Sequence, residues 1–381
     1  MASKIKYGLF VLVLAIFCLP WVQDKFPIFS SKPLNGYAQS ADDVPFTWKG
    51  WWDGTYQEQK NKYLNDNSAF KPDLIRLNNQ IDYSLYNALH AFRIVEGGEH
   101  NLFVSSNTIA YFGTDYIGYT AIRTKMEKLK ALSDTFAKLG KSIVFVHSPA
   151  KEFMYPEYIP TSLITQKGTT NLETYLRVAD SLQIPQINFN GWFCSMKNTS
   201  NEKLFSKQGV HWSVYGSYLA ADSLIRYLEH QRSIHMPHPV WTKVTHSDKP
   251  RQTDNDVEQT LNLIYPFTHE VLSYPEVTYP EDATMTKPKV VYIGDSFLLI
   301  WITDGIMDHT NSNWEVWQWF AQVWDKNSTA DKPSALIDNH DWLRVIDQSD
   351  CIVLMYTAFN LPYAGNGFVE KAYDHYFPGK K

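Results

Sequence analysis

The sequence is poor in the features that mark most easily recognised classes. It has three cysteines in 381 residues, one of them inside an apolar N-terminal run, so no disulfide framework can be built. Cys194 and Cys351 lie in apolar stretches and read as buried free thiols. No basic run stands out, and 35 Lys and Arg against 40 Asp and Glu leave a net charge of -5, which excludes nucleic acid as the main partner. There is no phosphate-cradling glycine loop, no dinucleotide fingerprint, no acetyl-CoA-binding motif, no internal repeat and no low-complexity tract. The histidines of "HQRSIHMPH", His230, His235 and His238, and the nearby His246, have no carboxylate or cysteine at a ligand spacing. They read as a polar loop, and neither a metal nor another cofactor is expected.

What is present begins at the N-terminus. Lys4 and Lys6 precede "YGLFVLVLAIFCLPWV", and Asp24 and Lys25 follow it. A positive flank before an apolar segment is an export signal. The run is slightly short for a full span, which needs roughly 17–25 residues, but Trp21 suits the interface. No small-x-small site follows closely; "GYAQSA" (36–41) lies well downstream, and Phe17 spoils a lipoprotein reading of Cys18. The expected organisation is an uncleaved signal-anchor over 1–25, with cleavage as the alternative. A Pro-, Ser-, Asn- and Gly-bearing linker follows over 26–45, then one domain over 46–381 on the extracytoplasmic side of the membrane. Within it, residues 230–286, rich in Pro, His, Asp and Thr, read as an irregular insertion.

Apolar periodicity then alternates between two kinds. Met126, Leu129, Leu132, Phe136 and Leu139 recur at helical spacing, and Gly140 stops them. "SIVFV" (142–146), "PQINF" (185–189), "KVVYI" (289–293) and the strand closing "WLRVIDQSDCIVLMY" (342–356) read as buried strands. A helix is expected near 172–182, and another behind "GVHW", where Val214, Tyr218, Ala221, Ile225 and Leu228 form a stripe capped by Ser213. Buried strands alternating with amphipathic helices predict an α/β fold with a mostly parallel sheet covered on both faces. Such sheets place their sites at the carboxyl ends of strands.

Gly294, Asp295 and Ser296 stand at one such end. A serine at a strand-to-helix turn exposes its hydroxyl above the sheet, and its own N–H is a ready oxyanion donor. Gly294 suits a tight turn and close approach of a substrate. The same serine can equally be a plain helix cap, so it needs a base. Of twelve histidines, His211 is best placed, in a loop just before a helix, with Trp212 beside it to wall the site.

"VFVHSPAKEFMYPEYIP" (144–160), "HWSVYG" (211–216) and "GDSF" (294–297) together resemble, in that chain order, the SGNH hydrolase-like domain of the alginate O-acetyltransferase proteins of the AlgJ/AlgX type. The likeness covers most of residues 50–365. It pairs Ser296 as nucleophile with His211 as base and places Pro149, Lys151, Tyr155 and Pro156 in the family's early segment. What it implies is O-acetylation of an extracytoplasmic polysaccharide, the acetyl group being supplied across the bilayer by an integral membrane acyltransferase. An acetyl esterase and a non-catalytic glycan-binding or scaffold relative are the alternatives. One departure stands out: the family aspartate two positions before the histidine aligns with Gly209. Asp254, Asp256 and Glu258 are the candidates to replace it, unranked. Lys151 and Asn360, the latter just after the last strand, are candidate substrate or oxyanion contacts.

Overall fold

A computed structural model describes residues 2–26, 29–36, 40–329 and 332–379. Pro27 and Ile28 of the expected linker, and Tyr37–Gln39 of the possible cleavage stretch, lie outside the described residues. The chain divides into two units, 1–92 with 258–267, and 93–257 with 268–381.

In the first unit a helix spans Ala2–Lys25, and its Lys4–Gln23 portion is long and apolar enough to cross a membrane. Three further helices follow, Trp48–Asp53, Thr55–Asp66 and Lys71–Tyr86. The first unit takes in residues 46–92, which the sequence places with the domain expected over 46–381. Residues 46–92 are helical and add no strand to a sheet.

The second unit is built on a seven-stranded sheet. Its strands are β1 (Ser142–Ser148), β2 (Gln186–Asn188), β3 (Lys289–Gly294), β4 (Asn313–Gln318), β5 (Gln322–Trp324), β6 (Ala335–Leu336) and β7 (Cys351–Thr357). They lie in the order β6-β5-β4-β3-β7-β1-β2. The five from β4 to β2 are mutually parallel, and β5 and β6 extend one edge antiparallel.

The strand residues alternate between two cores, as the period of two dictates. Val144, Val146, Val290, Tyr292, Val353 and Met355 face helices Phe189–Met196, Val214–Arg232 and Phe297–Thr303. Ile143, Phe145, Val291, Ile293, Ile352 and Leu354 face helices Tyr119–Lys138, Asn171–Leu182 and Phe368–Tyr376. Thr170 and Glu173 form a capping box at the start of the second of these, and Gly140, at φ +71, ends the first. The fold is therefore the α/β arrangement expected, a mostly parallel sheet with helices on both faces.

The interval 230–286 is more regular than its composition suggests. Val240–Ser247 and Leu272–Thr278 pair antiparallel, with a bulge between Trp241 and Lys243. Pro275 and the polar residues of this ribbon mask its alternation in sequence. Cys194 and Cys351 are free thiols.

Candidate active site

Three elements converge at the carboxyl end of β3. The first is the turn Gly294–Ser296. A Cβ on Gly294 would lie 2.0 Å from the Met355 carbonyl oxygen, so glycine there serves the approach of β7, not of a substrate. Asp295, fully buried, clamps the turn to the end of β7. Its Oδ2 accepts from Thr357 N at 2.8 Å, Thr357 Oγ1 at 2.6 Å and Asn360 Nδ2 at 2.9 Å, and its Oδ1 accepts from Phe297 N at 3.2 Å. Asn360 also donates to Thr357 Oγ1 at 3.0 Å, so its amide nitrogen is occupied and does not face an oxyanion. The Ser296 N–H, by contrast, has no partner among the described residues.

The second element is the loop 204–213. Trp212 bridges back to Phe205, and Ser213 caps helix Val214–Arg232 by accepting from Gly216 N at 3.0 Å. Between these fixed points His211 is held at the rim. Its ring packs on Phe297, with centroids 4.7 Å apart. Trp212 does not wall the site. It is fully buried, stacked on Trp301 at 5.4 Å and edge-on to Phe297 at 5.2 Å, because the residue after a rim histidine points into the core. Lys151 is equally hidden, 1% exposed. Its ammonium donates to the carbonyls of Leu102 at 3.0 Å, Lys207 at 2.6 Å and Gly209 at 3.2 Å. Burial pushes it down to about 7. It braces the histidine loop from below and contacts no open surface.

The third element is the segment 253–257, between the two strands of the ribbon. His211 Nε2 lies 2.8 Å from Ser296 Oγ, and His211 Nδ1 lies 2.5 Å from Asp256 Oδ2. With Asp256 accepting from Nδ1–H, the Nε2 lone pair is left to accept the serine O–H. Asp256 is itself fixed, since its Oδ1 accepts from Val210 N at 3.0 Å and Val257 N at 2.8 Å. Side-chain exposures of 12% for His211 and 24% for Asp256 leave the group open at its rim but largely desolvated.

Of the three candidate acids only Asp256 reaches the imidazole. Glu258 accepts from Phe267 N at 2.6 Å. Asp254 is buried, its carboxyl oxygens make no hydrogen bond of normal geometry, and desolvation, outweighing the nearby Tyr274 hydroxyl, pushes it up to about 7. Sequence reasoning gave Asp295 and Phe297 no part; only their place beside Ser296 hinted at one.

No group of three or more His, Cys, Asp or Glu side chains among the described residues is arranged to hold a metal ion. His238 instead contacts Asp222 at 2.7 Å and Glu229 at 2.8 Å, which also meets His235 at 3.0 Å.

None of the curated proteins matches this chain. Among solved structures, the O-acetyltransferase domain of Pseudomonas putida AlgJ is 12% identical, with TM-score 0.48, covering 74% of this chain and 99% of that one. Bacillus cereus PatB1 with a sulfonyl adduct is 12% identical, TM-score 0.46, over 70% and 97% of the two chains. Pseudomonas aeruginosa AlgX is 13% identical, TM-score 0.40, over 70% and 65%. The family model described as the SGNH hydrolase-like domain, acetyltransferase AlgX, matches residues 96–299, a span that holds His211, Asp256 and Ser296. The chain belongs to the AlgX family of SGNH hydrolase-like acetyltransferase domains.

Proposed function

We propose that this chain is an O-acetyltransferase acting on an extracytoplasmic polysaccharide through a Ser296 acyl-enzyme. The observation that carries the reading is the continuous relay Ser296 Oγ, His211, Asp256 at 2.8 and 2.5 Å. Ser296 Oγ attacks the carbonyl carbon of an acetyl donor while its proton passes to His211 Nε2. The tetrahedral oxyanion is met by the Ser296 N–H. As that intermediate collapses, the bond to the donor oxygen breaks, His211 returns the proton to the leaving alkoxide, and acetyl remains on Ser296. A sugar hydroxyl then attacks the acetyl-serine. Its proton goes to His211 Nε2 and on to Ser296 Oγ as the ester to the sugar forms. Asp256 holds the imidazole in the required tautomer and stabilises its charged form.

Asp256 also answers the difficulty raised by Gly209, since a catalytic reading no longer lacks an acid. The N-terminal helix supports placement on the far side of a membrane, with anchoring by Lys4–Gln23. On this reading the acetyl donor comes from an integral membrane acyltransferase.

The test is turnover of p-nitrophenyl acetate by the purified chain, with acetyl-serine trapped and mapped by mass spectrometry. Ser296→Ala is expected to lose both; unchanged turnover sinks the nucleophile. Acetyl partition between water and an added oligosaccharide then separates transferase from esterase.

A further inference from the structure

The turn from β4 to β5 runs Gln318–Ala321, closed by Ala321 N donating to the Gln318 carbonyl at 3.0 Å. Both central residues are left-handed, Trp319 at φ +55 and Phe320 at φ +46. Turns of this kind take Asn or Gly there, because a Cβ crowds the next carbonyl. Two successive bulky aromatics are an expensive choice.

Phe320 is accounted for by packing. It is 4% exposed and sits among Trp317, Trp342 and Phe368. Trp319 has no such account. Half-buried, it belongs to neither main core cluster, and its indole has no ring or hydrogen-bond partner among the described residues. Its backbone N–H donates to the Gly294 carbonyl at 2.8 Å, one step beyond the Gly294–Gln318 pair. Trp319 therefore stands on the same carboxyl rim as Ser296, one strand to the side, about 4.8 Å in backbone spacing. Strain retained beside a reactive group, on an indole outside both main core clusters, points to a functional use.

We propose that Trp319 is the acceptor platform of this site, its indole face stacking on the apolar face of a pyranose ring so that one ring hydroxyl reaches the acetyl group on Ser296. The inference rests on the transferase reading above and adds its acceptor subsite. A flat, uncharged ring attracts the weakly positive C–H face of a sugar through its quadrupole, and an indole adds area at little entropic cost. A strained, rigid turn keeps that face presented where a relaxed loop lets it collapse onto the sheet edge.

The experiment measures, for the full chain, the ratio of acetyl transferred to acetyl hydrolysed from p-nitrophenyl acetate. Three β-linked hexasaccharides are offered in turn as acceptors: cellohexaose, chitohexaose and a mannuronate hexamer. The ratio cancels any change in the rate at which acetyl-serine forms. Trp319→Gly relieves the turn's backbone but gives up the half-buried indole's contacts, so its Tm is expected near that of the wild type. Its transfer ratio with the best acceptor should fall about three- to tenfold, a typical worth for one aromatic stacking contact. Trp319→Tyr should retain an intermediate ratio. An unchanged ratio in Trp319→Gly overturns the proposal. So does a wild-type enzyme that releases nitrophenol in a Ser296-dependent burst yet transfers to none of the three glycans, a result that leaves the acyl-enzyme chemistry standing. Absence of the burst itself counts against the transferase reading.

Discussion

The carbonyl oxygen of Thr253 occupies the place where a side chain at Gly209 would begin: a Cβ built there meets it at 2.6 Å. Ser206 Oγ, at 2.7 Å from the same point, accepts from Gly209 N and donates to the Asp254 carbonyl. The family's acid position and the segment bearing Asp256 thus exclude each other. On the proposed acyl-transfer reading, the acid that the resemblance places on the histidine loop stands instead on the segment that packs against it, and glycine is what lets that segment come close.

Restoring the family pattern is therefore expected to harm this protein. Gly209→Asp forces residues 253–256 away from the loop and draws Asp256 off His211. Overpacking of this kind costs about 1–3 kcal/mol, read as a lower Tm, with turnover reduced more than tenfold. The double variant Gly209→Asp, Asp256→Asn should not recover. Wild-type rates in that double variant would show that position 209 can still serve the imidazole.

Asp256→Asn keeps the shape and removes the charge. In the serine-protease template the same neutralisation lowers turnover by about 10⁴, because the carboxamide favours the wrong tautomer. A comparable fall in kcat for p-nitrophenyl acetate, with little change in KM or Tm, is the expected outcome. A loss below tenfold would mean that Asp256 is a loop tether without a part in the proton relay.

How much of this was legible beforehand follows from where the information lies. Val290–Ile293 and Ile352–Leu354 are buried on both faces, so their apolar runs announce central strands without help from the rest of the chain. Ser296 and His211 each carry local context, a strand end and a helix cap. Asp256 has neither. It stands with Asp254 and Glu258 in a polar stretch without periodicity, and only the approach of backbone to Gly209 selects it. Lys151 and Trp212 were misjudged for the opposite reason: a motif's polar or aromatic residue suggests an exposed contact, whereas depth beneath the site is set by tertiary packing. The ribbon 240–278 hid because Pro275 and its polar neighbours break the strand pattern.

Asp254 makes stability depend on pH in an unusual direction. Its carboxyl is held up to about 7 by burial, against an ordinary value near 4 in the unfolded chain. Between those values the folded state keeps a proton that the unfolded state releases. Its contribution is therefore lost as pH rises through about 4 to 7, at roughly 1.4 kcal/mol per pH unit at most. Asp254→Asn should remove that slope, giving a Tm above wild type at pH 8 and close to it at pH 4. Parallel Tm profiles for the two proteins would refute the assignment.

Lys151 offers the cleanest separation of bracing from chemistry. Its three hydrogen bonds end on carbonyls of Leu102, Lys207 and Gly209, the last only two residues before His211. Lys151→Met fills similar volume but leaves the Leu102 and Gly209 carbonyls without that donor, at about 1–3 kcal/mol for each that water cannot reach. The Lys207 carbonyl keeps the Leu102 N–H at 2.8 Å. A lower Tm is thus expected. A second effect follows from position: with the Gly209 carbonyl released, the imidazole loses its fixed distance to Ser296, so kcat falls while ester KM holds. A substrate-contacting lysine makes the reverse forecast, a raised KM with Tm preserved. Since the ammonium is 1% exposed, the first pattern is the one its surroundings require. The pair of measurements, thermal melt and kcat–KM split, decides between them in one variant.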